Sequence, residues 1–593
     1  MTVARPAATA ALLSAALAAA LLPALPAAAA PAAPAACATD AVPVGSVQGT
    51  GATSPEVGSV VTVRGTVVGD VPGFKGYFLQ DRGDHDARTS DGVFVYAPTA
   101  DVDLGDTVTA TGRVAEYDGL TELTATATAV CRDGGVRDLP RPAALRLPAD
   151  DATRERLEGM LVAPAQRLTV SEVYALTSFG ELTLSSGGRL VQSTEVARPG
   201  AAADAVEADD VRRSIVLDDG LSSRTSITDR PYLTPTTPVR VGDRLRFTAP
   251  TVLSYGFDAW RLEPADGTAA GTFAPQDTRP ARPAQVGGNL RIASFNVLNS
   301  FLTIGGAGRG ATSEAERAQQ GAKIVSAIGR LDADVVTLEE IEDTDSTGYS
   351  PGDADTAVAD LVARLNAAEG AGTWDWARFP QELYGVPRDV IRNAIIYRPR
   401  SVTPVGKGVG LVDESVWSNA REPIAQTFRA GRETFTVIGN HLKSKSGTGT
   451  GDDADTGQGA FTATRVKQAR SLAAFIARLQ AETRDADVIS LGDYNAYTRE
   501  DPIEVLRGTG LTDLGSRFDR GRYSYVFDAR SGSLDHALTT PSMTRKVVDA
   551  THWNINSVES GAYQYDGDEA LYAPDPYRSS DHDPLVVGLR VRR

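Results

Sequence analysis

Three of the five histidines in this 593-residue chain, His441, His536 and His582, stand beside Asp or Asn at the ends of strand-like apolar runs. The polar groups are Phe295-Asn296, Glu339-Glu340, Asn440-His441, Gly492-Asp493-Tyr494-Asn495, Leu534-Asp535-His536 and Ser580-Asp581-His582-Asp583-Pro584. Imidazole titrates near neutrality, so His441 and His582 are candidates for proton transfer and for contact with an anionic oxygen. Asp535 has the chemistry to fix the tautomer of His582 and raise its basicity. Asp493 and Asn495 are two apart on an emerging strand or tight turn, which puts both side chains on one side, with Gly492 leaving room for a ligand. A hard divalent cation needs a few oxygen ligands and open positions for water and phosphate, and Asn296, Glu340 and Asp581 would supply them.

Each group alone has a plainer reading. A single carboxylate after a strand is usually surface, Gly-Asp-x-Asn is a common turn, and a lone strand-end histidine is usually structural. The concentration of all of them at strand ends favours chemistry. Arg421, in Arg421-Glu422-Pro423 ahead of a run ending at Phe428, is a candidate phosphate clamp. The loop from Lys443 to Gly459 carries Asp452, Asp453 and Asp455; a solvated loop is the favoured reading over a weak Ca²⁺ site.

These clusters need rigid posts. After Leu290, apolar runs Val335 to Leu338, Ala394 to Tyr397, Phe435 to Ile438, Val488 to Leu491 and Leu585 to Leu589 read as strands buried on both faces. They alternate with helical patterns: a capping box at Ser313 and Glu316 followed by Ile324, Ile328 and Leu331, then Val358, Leu361, Val362 and Leu365, then Ala469, Leu472, Ile476 and Leu479. The expectation is a layered α/β domain over 290–593 with its polar clusters at strand ends.

Upstream, short strands between Val60 and Val130 separated by Gly and Asp turns suggest a small barrel over 37–135. Its aromatics Phe74, Tyr77, Phe78, Phe94, Tyr96 and Tyr117 either stack single-stranded bases or fill the core, and core is favoured. A second β-rich stretch occupies 140–265. Leu104-Gly105-Asp106-Thr107-Val108 is echoed there by Val241-Gly242-Asp243-Arg244-Leu245, which hints at a second barrel of related build. A Pro, Gly, Ala and Thr rich linker follows over 266–289. Residues 1–30, with an Ala/Leu run and small residues through Ala30, read as a secretory signal peptide. No later segment is apolar enough to span a bilayer. Cys37 and Cys131 are expected to pair in an oxidising compartment. The formal net charge of −17 argues against coating nucleic acid by bulk electrostatics but not against an enzyme that touches a few phosphates.

Taken together, Ser294 to Asn299, Leu338 to Glu342, Asn440 to Ser444, Gly492 to Ala496, Leu534 to His536 and Ser580 to Pro584 resemble the endonuclease/exonuclease/phosphatase superfamily. Within it, the chain looks like the secreted bacterial ExeM/NucH-type extracellular nucleases, whose catalytic domain follows an OB-like barrel. The resemblance implies a four-layer αββα sandwich (DNase I-like) preceded by all-β OB-like domain(s), and a phosphodiester hydrolase using Mg²⁺ or Mn²⁺; Ca²⁺ is a further candidate, as a structural or additional ion. It implies metal positions at Asn296, Glu340 and Asp581. His441, Asp493, Asn495, Asp535 and His582 would then be catalytic and Arg421 phosphate-binding. Glu339 stands where many relatives have Gln, adding negative charge near the metal. The reading is a secreted, extracellular, monomeric nuclease acting on DNA, first of all as an endonuclease, with RNA as a further candidate substrate. The alternatives are a sphingomyelinase-like phospholipid phosphodiesterase or a phosphomonoesterase using the same site, and, more remotely, a non-catalytic binding protein.

Overall fold

The computed structural model describes residues 37, 39–222, 238–267, 278–519 and 523–592. The expected signal peptide at 1–30 and residues 268–277 of the expected linker lie outside the described residues.

Five strands open the chain: β1 (Val60–Val71), β2 (Gly76–Gln80), β3 (Gly92–Tyr96), β4 (Thr107–Tyr117) and β5 (Leu120–Arg132). They close into a barrel of order β1-β2-β3-β5-β4, in which β3 and β5 run parallel. Alternate residues point inward, so Val63, Val67, Tyr77, Leu79, Val93, Val95 and Leu123 fill it. A disulfide joins Cys37 to Cys131 on β5.

The same alternation settles the barrel's aromatics. Tyr77 is inside, and Phe78 and Phe94 face outward onto Leu161, Val252 and Ala265 of the following region, with Phe74 and Tyr96 at the border. Tyr117 remains 66% exposed. Apart from Tyr117 the set therefore offers no open stacking face, because Phe78 and Phe94 are covered by the neighbouring β-rich region.

That neighbour comprises β6 (Ala143–Leu145), β7 (Leu161–Pro164), β8 (Leu168–Glu172), β9 (Leu182–Ser185), β10 (Leu190–Val191), β11 (Ser214–Leu217), β12 (Arg244–Leu245), β13 (Thr251–Gly256) and β14 (Ala259–Pro264). All but β10 form one sheet of order β12-β8-β9-β11-β14-β13-β7-β6. β7 and β8 are successive arms of one run, as are β12 and β13, so the order returns to its start and repeats that of the first barrel. β11 and β14 are parallel, as β3 and β5 are. The echoed turns match too. Gly105 and Gly242 have φ of +90° and +100°. Gly105 N–H donates to Val67 O at 2.9 Å and Gly242 N–H to Val170 O at 2.8 Å. Asp106 and Asp243 each accept the amide three residues back, from Asp103 at 3.0 Å and Arg240 at 3.1 Å.

The C-terminal region builds two six-stranded sheets. One contains β15 (Leu290–Ser300), β16 (Val335–Glu342), β17 (Asp375–Trp376), β18 (Ile391–Tyr397), β27 (Val547–His552) and β28 (Leu585–Leu589) in the order β17-β18-β16-β15-β28-β27. The other contains β19 (Thr403–Gly410), β20 (Ile424–Ala430), β21 (Glu433–His441), β22 (Val488–Asp493), β23 (Thr512–Asp513) and β26 (Asp535–Thr539) in the order β19-β20-β21-β22-β26-β23. Ile292, Val335 and Ile395 of the first meet Phe428, Val437 and Ile489 of the second between them. Helices Glu314–Leu331 and Thr356–Glu369 cover the first sheet's outer face, and Thr462–Thr483 and Asp501–Gly508 the second's. The layering is αββα, as expected. Ser313 caps the first helix by accepting Glu316 N–H at 3.2 Å. Among the described residues no helix is long and apolar enough to cross a membrane.

Candidate active site

The second sheet carries a row of functional groups. His441 is in register with Asp493 across β21 and β22, and Asp493 with Asp535 across β22 and β26. His441 Nε2 lies 3.4 Å from Asp493 Oδ2. His582, on the loop before β28, reaches over from the first sheet. Its Nδ1 is 2.7 Å from Asp535 Oδ2 and its Nε2 is 3.7 Å from Asp493 Oδ2. The Tyr525 ring lies 4.7 Å from the His582 ring, centroid to centroid. The ligand atoms of Asp493, Asp535 and His582 all lie within 4.8 Å of one another.

The first sheet reaches the site through broken backbone. Its β15–β16 register shifts between Asn296 and Ser300, and its β16–β18 register between Leu338 and Ile341. Glu340 has φ +63°, Leu298 +52° and Asn299 +47°. These bulges turn Glu340 inward, where Oε1 accepts Asn296 Nδ2 at 3.2 Å and Oε2 accepts Asn299 N–H at 3.0 Å. Asn296 Nδ2 also faces Asp493 Oδ2 at 3.4 Å, and its Oδ1 accepts Leu298 N–H at 3.0 Å. Ser580 Oγ donates to Asn296 O at 2.6 Å and lies 3.5 Å from Asp581 Oδ1. Asp583 accepts the amides of Ile555 and Asn556 at 2.8 and 2.7 Å, which anchors the loop carrying Asp581 and His582.

Residues 293–582 match the model of the Endonuclease/Exonuclease/phosphatase family. This domain belongs to that superfamily. Solved structures that part of this chain matches include a mannosyl-6-phosphatase from Bacteroides thetaiotaomicron VPI-5482, 17% identical, covering 51% of this chain and 100% of its own, with a TM-score of 0.33. The human nocturnin catalytic domain with bound sulfate is 15% identical, covering 50% of this chain and 93% of its own, TM-score 0.32. D. rerio TDP2 with a single-strand DNA product is 14% identical, covering 50% and 97%, TM-score 0.32. No curated protein sequence matches the chain. Members of the superfamily are phosphoesterase hydrolases and typically use divalent metals.

In this endonuclease/exonuclease/phosphatase domain the electrostatics divide the two histidines. Burial pushes His441 well below its ordinary range, and the nearby Arg421 and His582 push the same way, so it is neutral. Burial also opposes charge on His582, but Asp535, Asp493 and Asp581 outweigh it and hold His582 well above the ordinary range. Burial pushes Asp493 up to about 7, against the attraction of His582 and with repulsion from Asp535.

A divalent cation fits this donor set. Glu340 and Asp493 approach one another across a single amide donor, Asn296 Nδ2, and Ser580 Oγ links the Asn296 carbonyl to Asp581. The side-chain oxygen and nitrogen of buried Asn299, next to Glu340, have no hydrogen-bond partner among the described residues. Asn296 itself presents nitrogen, not oxygen, to the carboxylates, so ligation through Oδ1 requires its amide to turn.

Two expectations change, those for Gly492 and Glu339. Gly492 does not leave room for a ligand: a Cβ there would lie 1.9 Å from Asn440 O, so the glycine permits close strand approach. Glu339 accepts Ser294 Oγ at 3.1 Å and is driven well above the carboxylate range by burial and then by Asp535, which disfavours the negative charge expected of it there. Arg421 is brought in: it donates to Leu442 O and pairs with Asp389 at 3.7 Å, and its buried Nε has no hydrogen-bond partner among the described residues. Asn495 likewise donates Nδ2 to Leu442 O at 3.2 Å. In the acidic loop, Asp453 accepts Thr464 N–H at 2.8 Å and Asp455 accepts Gly457 N–H at 2.8 Å, so each has an oxygen engaged by backbone. Asn299, Asp389 and Tyr525 were missed. A polar residue inside Ser294 to Asn299 was the available signal for the first; the other two had none.

Proposed function

We propose that this chain is a secreted, divalent-metal-dependent phosphodiesterase that hydrolyses extracellular nucleic acid, with endonucleolytic cleavage of DNA as its reaction. One observation carries the reading: His441, Asp493, His582 and Asp535 form a single contiguous set facing Glu340, Asn296 and Asp581 where the two sheets meet. In this reading Glu340, Asp581 and Asn296 hold Mg²⁺ or Mn²⁺. The bound cation supplies charge stabilisation to the phosphate and offsets the carboxylates around His582. Neutral His441 donates Nε2–H, through which it can hold a phosphate oxygen without adding charge. Asp535 fixes His582 through Nδ1, leaving Nε2 and Asp493 as the atoms that exchange the proton of the attacking water.

The shared strand order and the parallel third and fifth strands support an OB-type reading for both barrels. The OB face formed by the second and third strands is where such barrels bind oligonucleotides, and in the first barrel it is packed against the second. Substrate contact therefore falls to the C-terminal domain. The Cys37–Cys131 disulfide supports an oxidising, extracellular location.

The test is supercoiled plasmid and linear DNA incubated with EDTA, Mg²⁺, Mn²⁺ or Ca²⁺, beside sphingomyelin and a phosphomonoester. Nicking and linearisation of the plasmid with Mg²⁺ or Mn²⁺, lost in EDTA, is expected. Intact plasmid with hydrolysed sphingomyelin or monoester overturns the nuclease reading, and full activity in EDTA overturns the metal.

A further inference from the structure

The family match begins at residue 293, yet part of what holds its catalytic loops comes from residues 190–195. β24 (Tyr525–Phe527) and β25 (Arg530–Gly532) form a hairpin, and β10 of the second barrel adds to it as a third strand, parallel to β25. Gln192 N–H donates to Ser531 O at 3.0 Å, and Arg499 N–H to Thr194 O at 2.8 Å. A Cβ on Gly532 would come within 3.1 Å of Gln192 Cβ, so the segment lies flat on the hairpin. Glu195 then reaches between two catalytic loops. Its Oε2 accepts the amides of Thr498 at 3.2 Å and Ser533 at 3.1 Å, and its Oε1 accepts the Thr498 hydroxyl at 2.7 Å. Thr498 follows Asn495 by three residues, and Ser533 precedes Asp535 by two. Glu195 is 1% exposed, so without it buried amides in both loops lose their acceptor.

Adhesion between the regions does not require this carboxylate. Arg240 and Arg279 already pair with Glu559 at 2.7 and 2.8 Å. Within the domain the two loops are already tied by Tyr494 N–H to Leu534 O at 2.8 Å and by His536 Nε2 to Ala496 O at 2.9 Å. Glu195 adds a bridge from outside it, joining the far end of the loop of Asp493 and Asn495 at Thr498 to the approach to Asp535 at Ser533, and Asp535 is the group that holds His582. We propose that Leu190–Glu195 is an active-site strap supplied by the second barrel, in which Glu195 is a positioning residue for Asp493 and Asp535. Its catalytic readout rests on the phosphodiesterase reading above.

The experiment uses the full chain with plasmid DNA at saturating Mn²⁺. Glu195→Gln is expected to lower kcat per folded molecule by about 10- to 100-fold, the range for removing a residue that orients a site's ligands, with KM within about twofold. Thr498→Val, which removes one donor, should lower kcat in the same direction by less, about threefold. Glu207→Gln is the control: it touches the same short helix through Ser193 Oγ at 2.8 Å but no catalytic loop, and should match the parent. A folded Glu195→Gln with unchanged kcat, or one that loses only folded fraction, overturns the strap. If Glu195→Gln does not fold, Thr498→Val decides by the same criterion. If the parent chain cleaves no phosphodiester, the reaction is wrong and amide exchange judges the strap. Faster exchange confined to 495–500 and 530–536 in either variant supports it, and unchanged exchange overturns it.

Discussion

The two sheets of the C-terminal domain deliver their halves of the site in opposite ways. β21, β22 and β26 keep their register to the last residue, so His441, Asp493 and Asp535 sit side by side at ladder spacing. β15 and β16 break register where Asn296 and Glu340 emerge, and three nearby residues adopt positive φ. Groups that pass a proton need a short fixed separation, and a straight antiparallel or parallel ladder holds neighbours at about 4.5–5.5 Å. Carboxylates that share a cation must converge on one point, which a straight strand cannot arrange. The left-handed backbone at Glu340 is strained by about 1–3 kcal/mol, and the bulge holds it there.

The strongest test is His582→Ala, which removes the imidazole that the first sheet's last loop supplies and the regular side holds through Asp535. It should lower kcat by about 10³-fold or more, the scale of a lost general acid or base, measured on supercoiled plasmid at saturating metal. Activity within tenfold of the parent would remove His582 from the reaction. The irregular side should respond differently. Glu340→Gln is expected to raise the Mg²⁺ concentration for half-maximal activity by at least about tenfold, with a smaller effect on kcat at saturation. Equal loss of kcat and no shift in the metal titration would abolish the distinction between the sheets.

How much of this contrast was legible in the sequence follows from its physics. Strand ends announce themselves where an apolar run stops at a polar residue, so Asn296, Glu340, His441, Asp493, Asp535 and Asp581 could all be placed at one end of the sandwich. The helix from Glu314 was legible from its cap, since Ser313 and Glu316 act over one turn. The bulge at Glu340 was not, because register is set by partner strands far along the chain. The barrel aromatics show the same limit: alternation says that Phe78 faces outward, but not that Leu161 and Val252 cover it. Glu195 lies more than 300 residues from Thr498 and Ser533, with nothing local to mark it.

Rigidity of the regular side also depends on Gly492. Its φ of +144° and the approach of Asn440 O leave no space for a side chain. Gly492→Ala should destabilise the chain by about 1–3 kcal/mol by thermal or denaturant unfolding, and should lower kcat as Asp493 shifts from His441. A variant as stable as the parent would mean that the β21–β22 junction yields more easily than the ladder suggests.

The smallest effect expected is a pH dependence of stability from the pair behind the ladder. His536 Nδ1 lies 3.6 Å from Asp513 Oδ1, and its Nε2 lies 2.9 Å from Ala496 O. Burial opposes its charge, but Asp513, Glu195 and the Ala496 carbonyl outweigh burial and raise it from 6.5 to about 9. Asp513 is driven from 3.8 to about 2, since hydrogen bonding and attraction from His536 exceed the cost of burial. A raised histidine stabilises the fold fully below its unfolded value and loses that contribution as pH climbs from 6.5 toward 9. A lowered aspartate contributes above 3.8 and loses its share as pH falls toward 2. The pair is therefore worth most between about 4 and 6.5, and His536→Gln should flatten the fall in melting temperature between pH 6.5 and 9 relative to the parent chain. Parallel melting curves for the two proteins across that window would show that Asp513 and His536 do not hold the ladder through charge, and that the regular sheet owes its register to packing alone.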